Sequence, residues 1–333
     1  RQFPGHTPRN PPPDPAAGKS KDVLHRCVVG VGHAWGRGGA TVGGRMDVHL
    51  VDGTYELFRY HFAPNNRDPD RGATVGVLAT LLQLVADGAT HVGVATDHII
   101  ESFRNDLWAG YKSSVGMPHE LLAQFPLVEG AMEVAGFTVW PQVTHEADDG
   151  MAAGAVMAAA DPRVERVVIC TPDKDLGQCV GGKVVQLDRR KGVTFDAAGV
   201  EERLGVPPAS IPDLLALVGD SADGFPGLPG WGAKSAAAVL RRWGHLESIP
   251  PDPLEWDAGV RGAAKLNATL RDQFELALLF RRIATVETDA PVSATVDELR
   301  WTGPPDPAAF ATLCERLGAP RLAGRAKALA VRT

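Results

Sequence analysis

Three apolar runs end in acid. "MDVHLVD" (46–52), "THVGVATD" (90–97) and "RVERVVICTPDKD" (163–175) each read as a buried strand that runs into aspartate. Between them lie segments of helical period. "VGVLATLLQLVADGA" (75–89) spaces its apolar residues by three and four and closes on Gly88, and "HEADDGMAAGAVMAAA" (145–160) starts acidic and continues Ala-rich. "FTVWPQV" (137–143) and "KVVQLD" (183–188) add short strands. Strands alternating with helices predict an α/β fold with a mainly parallel sheet. The ligand crevice of such a sheet lies beyond the carboxyl ends of its strands. Asp52, Asp97, Asp173 and Asp175 are therefore expected on one rim.

Downstream the alternation stops. "PPASIPDLLALVGD" (207–220), "KSAAAVLRRWG" (234–244) and "LRDQFELALLFRRIATV" (270–286) read as helices, which makes 206–290 a small α-helical module after an α/β domain over 46–205. Residues 291–333 form an extension of unassigned role, with short helices expected at 306–317 and 321–331. Residues 1–45 are rich in Pro, Gly and Arg, lack a period and read as disordered. Arg1 is no start residue and an ordered pattern follows Met46 at once, so the working protein is expected to begin near Met46.

Composition excludes several classes. The 333 residues are 44% hydrophobic and 22% charged, which is globular. No apolar run is long enough for a membrane span, and no charged segment followed by an apolar one opens the chain. Cys27, Cys170, Cys179 and Cys314 are widely spaced without a C-x-x-C pair, so a zinc site or disulfide scaffold is not expected and a reducing cytoplasm is. The net charge of −6 argues against a nucleic-acid binder only if the acids carry no cations.

Glu146, Asp148 and Asp149 fall within four residues at a helix start. One or two acids there are commonplace, because the helix dipole favours them. Three acids opposite the strand-end aspartates repel one another unless a cation lies between them. Carboxylate oxygen suits a hard divalent ion, and no histidines cluster with the acids, so Mg2+ or Mn2+ is expected rather than zinc. "GLPGWG" (227–232) resembles the hairpin of a helix–hairpin–helix. Gly227, Gly230 and Gly232 would let backbone approach a ligand, and the next helix would point free N–H groups at phosphate without reading bases. Lys234, Ser235, Arg241 and Arg242 are candidate backbone contacts. Asp220 and Asp223 lie just upstream.

Taken together, "VDG" (51–53), "TD" (96–97), "SFRNDLWAGYK" (102–112), "EADD" (146–149), "TPDKDLGQ" (171–178) and "GDSADGFPGLPGWGAKSA" (219–236) resemble the bacterial 5′ nuclease family over about residues 46–290. The family comprises flap endonucleases and the 5′–3′ exonuclease domain of DNA polymerase I. The resemblance implies a PIN-like α/β domain with a helical arch at about 98–135, a helix–three-turn–helix module, and a stand-alone nuclease without polymerase. It implies metal-binding roles for Asp52, Asp97, Glu146, Asp148 and Asp149 in a first cluster and Asp173, Asp175, Asp220 and Asp223 in a second. Tyr111 and Lys112 match an aromatic–lysine pair at the scissile region, and Arg104 a basic arch residue. Some relatives also hold K+ at the hairpin. Val115 stands where an Arg is usual in "YKxxR", and Asp223–Gly224 replaces the usual "DN".

The function this implies is structure-specific 5′–3′ exonuclease and 5′-flap endonuclease action on DNA with flaps, nicks or 5′ ends, in replication and repair. Two Mg2+ ions, replaceable by Mn2+, would drive hydrolysis to 5′-phosphate and 3′-hydroxyl ends, in a protein expected to be monomeric. A nuclease for the RNA strand of RNA–DNA hybrids, a non-cleaving junction binder and a small-molecule phosphatase remain open. A backbone grip is indifferent to base.

Overall fold

β1 (Met46–Asp52) sends its side chains alternately to the two faces of the sheet, Val48 and Leu50 into one apolar core and Val51 into the other. It runs straight into α1 (Gly53–His61), so that Asp52 ends the strand and caps the helix, accepting from the Tyr55 N–H at 2.7 Å. Only glycine permits this junction: a Cβ at Gly53 would lie 2.7 Å from Thr96 Cγ2 and 2.9 Å from the Ala95 carbonyl. This computed structural model describes residues 46–256 and 259–331; the Pro/Gly-rich 1–45, expected to be disordered, lie outside the described residues.

The chain continues through α2 (Gly72–Ala86), β2 (His91–Asp97), α3 (Phe103–Leu107), α4 (His119–Leu122), α5 (Gln124–Val134), β3 (Thr138–Gln142), α6 (Ala147–Ala160), β4 (Val164–Cys170), β5 (Val184–Asp188) and β6 (Val193–Phe195). The sheet order is β3-β2-β1-β4-β5-β6. The first five strands are parallel, and β6, a three-residue strand that the sequence pattern does not signal, is antiparallel. Strand order reverses between β1 and β4, which places the crevice of this α/β sheet there. Asp52 pairs in register with Ala95 of β2, and Val51 with Cys170 of β4, so the carboxyl ends of all three strands are level.

α6 covers one face of the sheet. Its small residues let it lie close: a Cβ at Gly154 would come within 2.6 Å of the Trp140 ring. α2 and α5 cover the other face. Within 98–135, where an arch is expected, Ile100, Leu121 of α4 and Phe125, Val128 and Met132 of α5 are buried in that core.

Four further helices, α7 (Ala197–Leu204), α8 (Ile211–Val218), α9 (Ala233–Trp243) and α10 (Ala263–Asp272), lead to α11 (Phe274–Ala284). They gather round a second core of Leu215, Leu217, Trp231, Leu240 and Phe280. The single helix expected over 270–286 is two, broken at Gln273. α12 (Pro307–Arg316) and α13 (Arg321–Ala330) occupy the segments where short helices are expected. They return to the sheet, where Trp301, Phe310 and Leu313 join the core of α2 and α5. No helix among the described residues is long and apolar enough to cross a membrane.

His49 is the anomaly of the core. It sits in β1, 2% exposed, with neither ring nitrogen hydrogen-bonded. Burial pushes its pKa down to about 4 from 6.5, with Arg166 and Arg189 adding to the effect against Asp47. The folded state therefore holds it neutral while the unfolded chain takes a proton, so stability is lost as pH falls from about 6.5 to about 4. The loss is about 3 kcal/mol when complete. His49→Leu should flatten this part of the pH profile and raise the melting temperature more at pH 5 than at pH 7.5. Parallel profiles for parent and variant would show that His49 is not the titrating group.

Candidate metal centre and nucleic-acid interface

The acids of the rim fall into two neighbouring groups. In the first, Asp52 accepts from the Tyr55 N–H and, at 3.0 Å, from Thr171 Oγ1, while Asp97 accepts from the Ala147 N–H at 2.6 Å. Burial drives the Asp52 carboxyl up to about 7, with Asp97 and Asp173 adding to it. Burial likewise lifts Asp97 to about 6, with Lys112 opposing and Glu146 reinforcing. Asp148, half-buried, is pushed well above the carboxylate range by desolvation and by Asp173 and Asp52. In the second group, Asp175, Asp220 and Asp223 bring one carboxylate oxygen each to within 4.8 Å of the others. Burial and the exposed Asp173 raise Asp175 to about 7. The nine acids expected to bind metal are thus drawn to one rim of the sheet.

Asp149 is a correction to the sequence expectation. Its side chain is wholly buried and both oxygens are filled. Oδ1 accepts from Arg104 Nη2 (2.7 Å) and the Glu287 N–H (2.8 Å), and Oδ2 from Arg104 Nη1 (2.7 Å) and the Glu146 N–H (2.9 Å). Four acceptor positions are used, which leaves none for an ion. Arg104 is corrected with it. Expected at the scissile phosphate, it is 3% exposed, and Asp149, Glu146 and the Ile283 and Thr285 carbonyls take all its donors. Tyr111 is also buried, its hydroxyl donating to Glu146 Oε2 at 3.2 Å, so it positions Glu146 and offers no open ring face.

Glu146 accepts from Ser102 Oγ and Arg104 through Oε1, and from Tyr111 and the Lys112 ammonium (2.7 Å) through Oε2. Of these donors only Lys112, about a third exposed, can swing away. Lys112 also reaches Asp223 at 3.1 Å and so bridges the two groups. Burial alone would lower its pKa, but Glu146 and Asp223 hold it well above the ordinary value. Against the desolvation that would raise it, the same Lys112 together with Arg104 keeps Glu146 below the usual range.

Lys174 does the same work in the second group. It lies 3.0 Å from Asp175 and pairs with Asp220. Sequence reasoning passed over it, although its place between two aspartates in "DKD" was a visible signal. Thr171 and Ser102, which hold Asp52 and Glu146, carried no signal beyond adjacency to the acids.

The hairpin stands beside the second group. Gly219 (φ 82°) and Gly227 (φ 67°) face each other so closely that a Cβ on Gly227 would lie 2.3 Å from the Gly219 nitrogen. Trp231 anchors the turn, donating to the Leu266 carbonyl at 3.2 Å. Gly230 and Gly232 are exposed, and Gly232 caps α9, at whose first turn Lys234 projects into solvent. Ser235 departs from the expectation that it touches phosphate: its hydroxyl donates to the Gly232 carbonyl and accepts from the Gly232 N–H. Arg241 is exposed but tied by Nε to the Gly205 carbonyl, and Arg242 lies over the Trp243 ring at 5.0 Å.

Residues 47–205 match the 5′-3′ exonuclease, N-terminal resolvase-like domain, and residues 206–307 the 5′-3′ exonuclease, C-terminal SAM fold. The chain belongs to the 5′–3′ exonuclease family. Curated relatives include DNA polymerase I of Bacillus caldotenax, 32% identical over 264 residues, and of Mycobacterium leprae, 35% identical over 263 residues. The matches take in 76% and 75% of this chain but 29% and 28% of those polymerases, so the chain spans less than a third of the relatives it matches. Among solved structures, the T5 D15 protein co-crystallised with metal ions superposes with TM-score 0.59 at 19% identity, over 86% of this chain and 99% of that one. The catalytic core of Rad2 in complex with DNA substrate gives 0.57 at 16%, over 87% and 94%. At these identities the likeness is one of fold. The 5′–3′ exonucleases are phosphodiester hydrolases, and the α/β sheet with a C-terminal helical domain is their architecture.

The raised carboxyls set a sign opposite to that of ordinary ion-paired acids. Without metal, folding takes up protons at Asp52, Asp97 and Asp175 between about pH 4 and 7, so their contribution to stability falls as pH rises through that window. A bound divalent ion displaces those protons. Thermal melts should show an Mg2+ or Mn2+ stabilisation, relative to EDTA, that grows from pH 5 to pH 8. A metal shift independent of pH would contradict a carboxylate site. Separately, Gly224 (φ 81°) abuts the arch segment so that a Cβ would lie 2.1 Å from the Gly110 carbonyl. Gly224→Ala should cost at least about 2 kcal/mol in denaturant unfolding, from strain at positive φ together with overpacking.

Proposed function

We propose that this chain hydrolyses DNA phosphodiester bonds at 5′ flaps and 5′ ends, using divalent cations held between the two acid groups. The observation that carries the proposal is the pairing of crowded carboxylates, whose two groups Lys112 links, with a glycine hairpin beside the second group. A phosphatase for small esters has no use for the hairpin. The DNA reading also draws on the relatives, which are DNA polymerases, and on the neighbours crystallised with DNA, among them the bacteriophage T5 D15 flap endonuclease in a pseudo-enzyme-product complex with DNA and metal ions (TM-score 0.56, 21% identity, 86% of this chain and 98% of that one).

The donor set fits hard cations. It is all oxygen, its members repel one another, and Asp175 Oδ1 is buried without a hydrogen bond although Lys174 lies 3.0 Å away. Asp175, Asp220 and Asp223 would hold one ion, and Asp52, Asp97 and Asp148 another, with Asp173 between and Glu146 at the edge. Mg2+ or Mn2+ bound there supplies activation of a water near neutral pH and neutralisation of charge on the leaving oxygen. The chain's own residues do the rest. Lys112, once released from Glu146 and Asp223, brings its charge to the scissile phosphate. Gly230 and Lys234 grip the backbone of the duplex through an N–H group and an ammonium. Water adds to phosphorus, the bond to the 3′ oxygen breaks, and the products carry 5′-phosphate and 3′-hydroxyl ends.

The test is a gel assay on 5′-flap, nicked and RNA–DNA duplexes labelled at either end, with Mg2+, Mn2+ or EDTA. Cleavage near the junction should require metal. Each acid is asked to supply several kcal/mol of charge stabilisation, so Asp148→Ala and Asp175→Ala should each lower kcat at least about a hundredfold. Retention of duplex binding by both variants separates lost chemistry from lost folding. Tight junction binding with no cutting in any metal would overturn the nuclease assignment in favour of a binder, and selective loss of the RNA strand would move the substrate to hybrids.

A further inference from the structure

The residues that close the crevice from behind are joined to one strap. The strap is 283–287, the last two residues of α11 and the three that follow. Arg104 donates to the Ile283 carbonyl (2.8 Å) and the Thr285 carbonyl (2.9 Å) and forks onto Asp149 with both terminal nitrogens. Asp149 in turn accepts from the Glu287 N–H. Gln178 makes a second tie from the other acid-bearing segment. Its amide donates to the Asp175 carbonyl (2.9 Å) and the Ala284 carbonyl (3.0 Å), and its oxygen accepts from the Val286 N–H (3.1 Å). Two of the segments that carry acids, 146–149 and 173–175, are therefore fastened to the strap. The strap is the continuation of α11, whose Phe280 lies in the core that also anchors Trp231 of the hairpin.

We propose that Arg104 and Gln178 are positioning residues, which clamp the helical module to the metal acids and so fix where along the DNA the cut falls. This rests on the nuclease reading above. Stability alone does not call for a buried arginine–aspartate pair, since apolar residues of equal volume commonly do as well. What the planar fork adds is orientation: two parallel bonds to one carboxylate, with the remaining donors directed at fixed carbonyls. A lysine keeps the charge and loses that geometry. A rigid spacing between grip and metal selects one phosphodiester bond, whereas a loosened spacing presents several.

The experiment compares wild type, Arg104→Lys and Gln178→Met on a 5′-flap DNA with Mg2+, mapping products to single-nucleotide resolution, measuring kcat and KM, titrating Mn2+, and following amide exchange. Wild type should cut at one dominant position. Both variants should spread their products over neighbouring positions and lose about tenfold or more in kcat, the cost of misplacing reacting groups. KM should hold within a few-fold and the number of bound Mn2+ ions should be unchanged. Amides of 283–287 and 146–149 should lose protection together while the strands keep theirs. A single, unshifted cut site in both variants would overturn the proposal. Loss of a bound Mn2+ in Arg104→Lys would overturn it too, by assigning Asp149 to the metal site. If wild type cuts no DNA, the nuclease reading fails by itself. The exchange data then judge the clamp: joint loss of protection upholds the coupling and unaltered protection refutes it.

Discussion

Like charge crowded at the switch point of the sheet is the constraint on which the remaining structure depends. Asp52, Asp97, Asp148 and Asp175 are all held well above their ordinary pKa by burial, with neighbouring acids adding to the effect in each case. A fold with such a rim needs positive charge and aligned N–H groups close by. Two helix N-termini answer directly. Asp52 caps α1, and Glu146 caps α6, whose first peptide N–H binds Asp97. Lys112, Lys174 and Arg104 supply the charge, and each touches at least two carboxylates. The three differ in mobility. Arg104 is locked, whereas Lys112 and Lys174 are partly exposed and can give way to another cation without unpicking the core.

The segment that carries Lys112 is tied to the turn that carries Asp223 and Gly224. The Lys112 N–H donates to the Asp223 carbonyl, the Trp108 indole to the Gly224 carbonyl at 3.1 Å, and Gly224 lies against Gly110. Asn105 holds the Lys112 carbonyl at 2.9 Å. The lysine that bridges the two acid groups is thus fixed at its backbone from both sides, and only its side chain is free to redirect. Glycine at 224 follows from this contact, since any Cβ there would strike the Gly110 carbonyl.

Much of this was legible in the chain, and the illegible part has a common cause. Apolar runs located β1, β2 and β4, which are covered on both faces of the sheet, and three- and four-residue spacing located α2, because burial dictates those patterns. Parallel order then brought the strand-end acids to one rim without knowledge of any contact. The pattern could not say which acids were already spoken for. Arg104 meets Asp149 across 45 residues of chain and the Ile283 carbonyl across 179, and nothing local marks either partner. Ser235 looked like a phosphate contact because it follows the hairpin, yet its nearest acceptor is the Gly232 carbonyl. The break at Gln273 has no glycine or proline to announce it, and β6 is too short to show a period. The return of 291–331 to the sheet is decided by tertiary packing, where Trp301 stacks on Phe137 and donates to the Ala135 carbonyl.

The loop after Lys112 shows how the chain manages without the arginine that its resemblance leads one to expect. Val115 is 88% exposed and contributes no charge. The turn is braced instead by Glu101, which accepts from both the N–H and the hydroxyl of Ser114. With a net charge of −6 and Val115 uncharged at the tip of this loop, the positive charge next to the hairpin is that of Lys234 and Arg241 on α9, and it is this charge that can favour phosphate there.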